Sequence, residues 1–383
     1  MKFPLFKINL NSESSLLNLE KVFASGFINE GEEVIELEKQ LSDFLQVKNL
    51  TLVNSGTSAL TLALRIIGVG EGDEVITTAM TCVATNTPIT NSGASIVWAD
   101  IDANTGMISV DDVESKITSK TKAIMIVDWA GTPANLLAFQ SLSEKYSIPI
   151  IQDAAHAFGA QYDGLPISNF ADFTCFSFQA IKHFTTGDGG ALVCREDEKS
   201  ILARKLKWFG YDRDSVKDSK GEWKGQKWDA DILDGEIGYK FNMNNMAAAV
   251  GLANLPNMPN TLMRHRSNAK EFRSLLAGHP KIFLMELDPR AESSFWVFTL
   301  RLDLSEEKRD LLLAKLNERG IGAGLVHLPN DRYSAFNKHR VFLEQTELFA
   351  STQISLPCGW WINSSDVQEI AKSLIEELDA IAD

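Results

Sequence analysis

Apolar residues along the chain change their spacing in a way that separates helices from strands. Between residues 32 and 45 they fall at Val34, Leu37, Leu41 and Phe44, steps of three and four that gather them on one face of an amphipathic helix. The following run, LTLVNSGTSALTLALRIIG, reads as a short apolar strand, a turn of small residues at 54–58 and an apolar helix closed by Gly68. From Glu74 onward, strand-length apolar runs alternate with helical stretches: EVITT, a helix over 84–90, SIVWADI, KAIMIVDW, a helix ending at Tyr146, and IPIIQD. Strands apolar on both faces and separated by helices predict an α/β fold, a mostly parallel central sheet covered by helices and joined by right-handed crossovers. After about residue 255 the pattern changes. Pro256 and Pro259 interrupt it, and a helix rich in Arg and Lys runs to Leu276. FWVFTLRLDL alternates like a half-exposed antiparallel strand. A helix over 306–319, a strand around 322–327 and a closing helix from Ser364 follow. The expectation is a large α/β domain, residues 1–255, and a smaller C-terminal α+β domain, residues 256–383.

Composition narrows the function classes. A chain of 383 residues with 44% hydrophobic and 23% charged residues is an ordinary soluble globular protein, large enough for two domains. Its formal charge of −14, from 51 acidic and 37 basic residues, argues against nucleic acid and anionic membranes as partners. The four cysteines, Cys82, Cys175, Cys194 and Cys358, lie far apart with no metal-ligand or redox spacing, as reduced thiols in a cytoplasmic protein would. MKFPLFKINLNSES lacks the apolar run of a signal peptide, and no stretch approaches the ~18 apolar residues of a membrane span.

Candidate chemistry concentrates at residues 173–190, FTCFSFQAIKHFTTGDGG. Lys182 follows an apolar strand, and Thr185, Thr186, Gly187, Gly189 and Gly190 supply a turn that no helix or strand interior would choose. A desolvated lysine held by tight backbone has a lowered pKa and can act as an amine nucleophile toward a carbonyl. Upstream, Ser55, Gly56 and Thr57 stand between a strand and a helix N-terminus, where free N–H groups and the positive dipole end hold a phosphate, or where a hydroxyl simply caps the helix. Asp153 ends the strand of IPIIQDAAHAFGA, a costly place for a carboxylate unless it meets a cation or caps a helix. His327 before Leu328-Pro329 reads either as facing a substrate or as a structural histidine. The stretch 213–240, with lysines at 217, 220, 224 and 227, reads as a solvated insertion or as a loop meeting a nucleotide diphosphate.

SFQAIKHFTTGDGG resembles the lysine motif of the DegT/StrS sugar-aminotransferase family, pyridoxal-phosphate enzymes of the aspartate-aminotransferase fold (fold type I). The resemblance extends through SGFINEGEEVIELEK, VNSGTSALTLAL, QDAAHAFGA and GYKFNMNNMAAAVGLANL. It implies pyridoxal 5′-phosphate as cofactor, with Lys182 carrying it and Ser55, Gly56, Thr57 and Ser177 at its phosphate. It also places Asp153 at its ring nitrogen and His156 beside the ring. Ile28 and Asn29 in SGFINEG would stand at the mouth of the site, with His183 and His327 near the substrate. The pattern departs at Asp188, where glutamate is usual, and at Gln179, where histidine is common. Cys82 replaces an aromatic that stacks on the ring, and Lys240 replaces an asparagine that reaches the cofactor phosphate of a neighbouring subunit. The implied activity is transfer of an amino group, with glutamate as donor, to a keto group of a nucleotide-linked deoxysugar, in a homodimer with shared active sites. Sugar dehydratases of this type carry histidine at the lysine position, whereas here His183 comes one place later. A non-catalytic sensor would have no need of the Schiff-base lysine.

Overall fold

Among the described residues, seven strands form the central sheet: β1 Leu50–Val53, β2 Glu74–Thr78, β3 Ser95–Ala99, β4 Thr121–Val127, β5 Ile150–Asp153, β6 Phe173–Ser177 and β7 Gly190–Cys194, in the spatial order β1-β7-β6-β5-β4-β2-β3. This computed structural model describes residues 1–211 and 237–382. The pairs β2/β3, β2/β4, β4/β5 and β5/β6 are parallel, and β7 runs antiparallel to both β6 and β1. Alternation along each strand feeds two cores. In β4, Ile124 and Ile126 join one apolar cluster while Ala123 and Met125 join the one on the opposite face, which is why the run carries no polar residue between them. The helix Glu32–Leu45 forms with Val34, Leu37 and Leu41 buried as its spacing predicts; Leu45 is the fourth buried residue, while Phe44 packs only partly buried against the core, and Glu32 and Glu33 stand in the first turn where the helix dipole favours negative charge. Gly68, at φ +79°, closes the helix Gly56–Ile67.

A second sheet of three antiparallel strands, Ile282–Leu284, Phe298–Leu302 and Gln353–Leu356, carries the third core cluster with the helices Met258–Leu276, Glu306–Glu318 and Ser364–Ala382. On that change of core we propose the division near residue 255. Phe3 packs into the C-terminal cluster, and Met258 and Leu262 still pack on the first core.

Two expectations for the C-terminal part are corrected. Phe298–Leu302 is buried along its whole length, not half-exposed, because it is the central strand and because its polar positions find partners: Arg301 Nη2 donates to Asn104 Oδ1 at 2.6 Å and Thr299 bonds Ser355 at 3.0 Å. Residues 322–327 make no strand. They carry one isolated bridge, Gly324 to Ser355, and the neighbouring Ile321 pairs with Phe3. The N-terminal segment lies so close that a Cβ on Gly322 would meet the Leu5 nitrogen at 2.5 Å. The stretch around 213–236 lies outside the described residues. Among the described residues no helix is long and apolar enough to cross a membrane.

Candidate active site

The parallel strands β2, β4, β5 and β6 end on the same edge of the sheet, the position where open α/β sheets bind ligands. After β6 the chain folds back on itself. Phe178 N–H donates to Gly189 O at 2.8 Å, Thr186 N–H and Thr185 Oγ1 both donate to Phe178 O at 3.0 Å, and Gly187 turns the chain at φ +86°. Phe178 and Phe184, both buried, pack edge to face and anchor this loop on Phe158. Lys182 N–H donates to Gln179 O at 2.9 Å, so the lysine sits on a tight turn over a cavity of about 300 Å³. Burial brings its amine down to about 8, against the pull of Asp153 and Cys82 in the other direction.

Ser55, Gly56, Thr57, Cys82, Asp153, His156, Ser177, Lys182 and His327 all line this one cavity. The first-turn N–H groups of Gly56 and Thr57 lie beyond reach of any carbonyl of their own helix. Ser55 is the N-cap and accepts from Ser58 N–H at 3.1 Å. Two glycines let this helix start approach the end of β6. A Cβ on Gly56 would meet Ser177 Cβ at 2.9 Å, and one on Gly190 would meet the Gly56 nitrogen at 2.6 Å and Phe176 O at 2.7 Å. Ser177 is therefore held against the helix N-terminus, making a cradle for an anion from main-chain donors and one hydroxyl.

Asp153 is buried at the end of β5, with Thr85 Oγ1 donating to one carboxylate oxygen at 2.7 Å and Ala155 N–H to the other at 3.0 Å. Burial raises its pKa, and Thr85, Ala155 and the charge of Lys182 oppose the shift. His156 lies in a ring stack, 4.0 Å from Trp296 and 5.4 Å from His327, and its Nδ1 is buried without a partner. Burial keeps both histidines neutral, His156 well below its ordinary range and His327 at about 3.

The other sequence-derived candidates lie outside the cavity lining. The buried His183 turns its Nε2 to Ser294 O at 3.0 Å and stacks near His265, 4.6 Å between ring centroids. Lys240 Nζ rests over the Trp208 ring at 3.4 Å and donates to Asn242 Oδ1 at 2.5 Å. Ile28 and Asn29 are exposed, with Asn29 Oδ1 accepting from Asn242 Nδ2 at 3.3 Å, so Asn29 and Lys240 share one polar cluster. Sequence reading missed Trp296, which comes from the C-terminal half, and Thr85. Thr85 could have been found, since TAMTCVATN follows the end of β2, on the same edge of the sheet as Asp153 and separated from its strand only by β4.

These residues fit pyridoxal 5′-phosphate. The cradle that a Cβ would fill suits its phosphate, a carboxylate pushed up by burial is stabilised by a protonated ring nitrogen, and the orphaned His156 Nδ1 waits for a polar group inside the cavity.

Comparison with known proteins agrees with this chemistry. The model of the DegT/DnrJ/EryC1/StrS aminotransferase family matches residues 10–375. A UDP-4-amino-4-deoxy-L-arabinose–oxoglutarate aminotransferase of Shewanella sediminis is 33% identical over 377 residues, 95% of each chain. Among solved structures, the sugar aminotransferase CalS13 from Micromonospora echinospora is 30% identical with a TM-score of 0.89, covering 98% of this chain and 99% of its own. A candidate sugar aminotransferase of Streptococcus pneumoniae in its PMP-form is 30% identical with a TM-score of 0.90, covering 100% of both chains. The sheet and its helices are those of fold type I. The chain belongs to the DegT/DnrJ/EryC1/StrS aminotransferase family and is a pyridoxal-phosphate-dependent aminotransferase.

Proposed function

We propose that this aminotransferase moves an amino group from L-glutamate to a keto group of a nucleotide-linked deoxysugar. The observation that carries the reading is the convergence, in one cavity, of Lys182 with a lowered pKa, the buried Asp153 and the glycine-lined cradle at Ser177. The substrate class is supported by the relatives, several of which are described as sugar aminotransferases, and by the Shewanella enzyme, whose name couples a UDP-linked amino sugar to oxoglutarate, the keto form of glutamate.

Pyridoxal 5′-phosphate, when bound, supplies a carbonyl that accepts an amino group and a ring that draws electrons from the adjacent carbon. Gly56, Thr57, Ser55 and Ser177 would hold its phosphate, Asp153 its ring nitrogen, and Lys182 its carbonyl carbon. Cys82, small where an aromatic is usual, would leave room beside the ring. Lys182 Nζ, partly free base at neutral pH, would take a proton from the substrate carbon bearing nitrogen and return it to the carbon on the other side of that nitrogen. The neutral His156 and His327 rings wall the cavity without adding charge beside that amine. With the His183 ring turned toward Ser294 O, Lys182 alone of the pair reaches the cavity, which favours transamination over dehydration.

We further propose a homodimer in which Lys240 of one protomer reaches the phosphate site of the other. Supporting this, Leu16, Leu17, Phe23, Phe27, Ile28 and Ile35 are all exposed on the N-terminal helices and their loop, and the Lys240–Asn29 cluster lies outside the cavity of its own chain. The test of the substrate is a screen of the pyridoxamine-phosphate form against a panel of nucleotide-linked keto sugars. Return of the visible absorbance with at least one of them supports the proposal, and return only with unlinked sugars or simple keto acids contradicts it.

A further inference from the structure

Trp296 occupies a position that its sequence context gives no hint of. Its indole face lies under the Lys182 amine, with Nζ 3.9 Å from the ring centroid, and its Nε1–H donates to Ile181 O at 2.9 Å, the carbonyl that joins Ile181 to Lys182. Phe6 and His156 both stack on the ring, at 4.7 Å and 4.0 Å between centroids, so packing holds its rotamer.

The backbone that delivers it is strained and heavily bonded. Phe295, just before Trp296, sits at φ +48°, and Ala130 and Gly131, which follow β4, sit at φ +53° and +96°. Non-glycine residues in this region cost of order 1–3 kcal/mol each and persist only where their surroundings impose them. Here Trp296 N–H donates to Ala130 O at 2.8 Å, Ser294 N–H to Gly131 O at 2.9 Å and Ser293 Oγ to Gly131 O at 3.0 Å, while His265 bonds Phe295 O at 2.8 Å. Gly131 could not carry a side chain, since a Cβ would meet the Trp296 nitrogen at 2.8 Å and His156 O at 2.9 Å. Two left-handed turns from distant parts of the chain thus lock together, and what they present to the cavity is one indole.

We propose that Trp296 is a further residue of the lysine site: its face seats the Lys182 amine away from water and its N–H fixes the backbone that carries it, so that it holds Lys182 ready to react. This deepens the aminotransferase reading and rests on it for the identity of the electrophile. The groups around the amine are Asp153 and Cys82, which favour the charged form, and the neutral His156 and His327 rings, which add no charge; Asp188 also lines the cavity, and His183 is turned away to Ser294 O. The indole face draws the charged form by its cation–π contact and opposes it by standing where water would otherwise solvate the amine, and in this proposal the second effect outweighs the first.

The test uses Trp296→Ala and Trp296→Phe. In cofactor-free protein, reductive methylation of Lys182, read by peptide mass spectrometry across pH, reports the titration of the amine without any cofactor. Trp296→Ala should move the midpoint up by about one pH unit, which leaves about tenfold less free amine at neutral pH. Capture of pyridoxal 5′-phosphate at pH 7 should slow about tenfold in Trp296→Ala and about threefold in Trp296→Phe, which keeps an aromatic face and loses the bond to Ile181 O. Pyridoxamine 5′-phosphate, which needs no lysine, should bind each variant within about twofold of wild type. An unchanged midpoint together with unchanged capture overturns the proposal, as does an equal loss of affinity for both cofactor forms, the mark of a merely structural role. Should Trp296→Ala not fold, Trp296→Phe decides by the ratio of capture to pyridoxamine-phosphate affinity. If wild type binds neither cofactor form, the cofactor reading fails while the methylation profile still decides the role of Trp296.

Discussion

Gly190→Ala should damage the phosphate cradle without removing any polar side chain of the site. A Cβ at this position meets the Gly56 nitrogen and Ser55 carbonyl carbon at 2.6 Å and Phe176 O at 2.7 Å. These distances fall about 0.8 Å short of ordinary contact, and all three atoms are main chain, with no flexible end to move aside. The helix start at Gly56 must therefore back away from β6, carrying its N–H groups from Ser177. Overpacking of this kind costs roughly 1–3 kcal/mol of stability. Losing one charge-assisted hydrogen bond to the phosphate costs roughly 1.5–3 kcal/mol, which weakens cofactor affinity about ten- to a hundredfold. The assay titrates cofactor-free protein with pyridoxamine 5′-phosphate, so that Lys182 does not contribute, with a thermal melt in parallel. Gly70→Ala is the control, since a Cβ there meets nothing within 4 Å. Wild-type affinity and melting in Gly190→Ala would refute the argument that this glycine lets the helix reach the cradle.

Asp153→Asn should leave the cofactor bound but slow the half-reaction with glutamate by orders of magnitude, because a neutral amide no longer stabilises a protonated ring nitrogen; stopped-flow absorbance measures it, and near-normal rates would assign that nitrogen to another group. Capture of pyridoxal 5′-phosphate by cofactor-free wild type should rise about tenfold per pH unit and level off near pH 8, since the folded pKa of Lys182 lies below its ordinary 10.5 and the free amine is complete above it; a rate still climbing toward pH 10 contradicts the burial argument. Mixing Lys182→Ala with Lys240→Glu under subunit exchange should restore about a quarter of wild-type activity, from one intact site in each mixed dimer, and no recovery despite proven exchange rules out the shared site.

Much of the sheet was legible because β4 and β5 are buried on both faces and cannot hide their composition, and because Gly68 and the 54–58 turn mark the helix between them. The cavity was legible where one local stretch carries its own reason, as at 177–190. What stayed hidden depends on contacts distant in sequence. The burial of Thr299 and Arg301 needs Ser355 and Asn104, and the failed strand at 322–327 yields to pairing with residues near the N-terminus. Trp296 reads as one more apolar residue of an alternating run, and only its bond to Ile181 O shows that it serves Lys182. The resemblance set His183 near the substrate, whereas a one-residue step on this tight turn sends its ring to Ser294 O, away from the cavity lining.

The most direct test of the central claim, that Lys182 is the amine through which this cavity exchanges amino groups, is a single-turnover reaction. Wild type loaded with pyridoxal 5′-phosphate is mixed with L-glutamate, and both the visible absorbance and the 2-oxoglutarate formed are followed, with Lys182→Ala alongside. The account predicts that the visible band disappears with one equivalent of 2-oxoglutarate per site in wild type, and that Lys182→Ala releases it at less than about one per cent of that rate. A band unmoved by glutamate and other amino donors, or a Lys182→Ala variant that keeps pace with wild type, would contradict it.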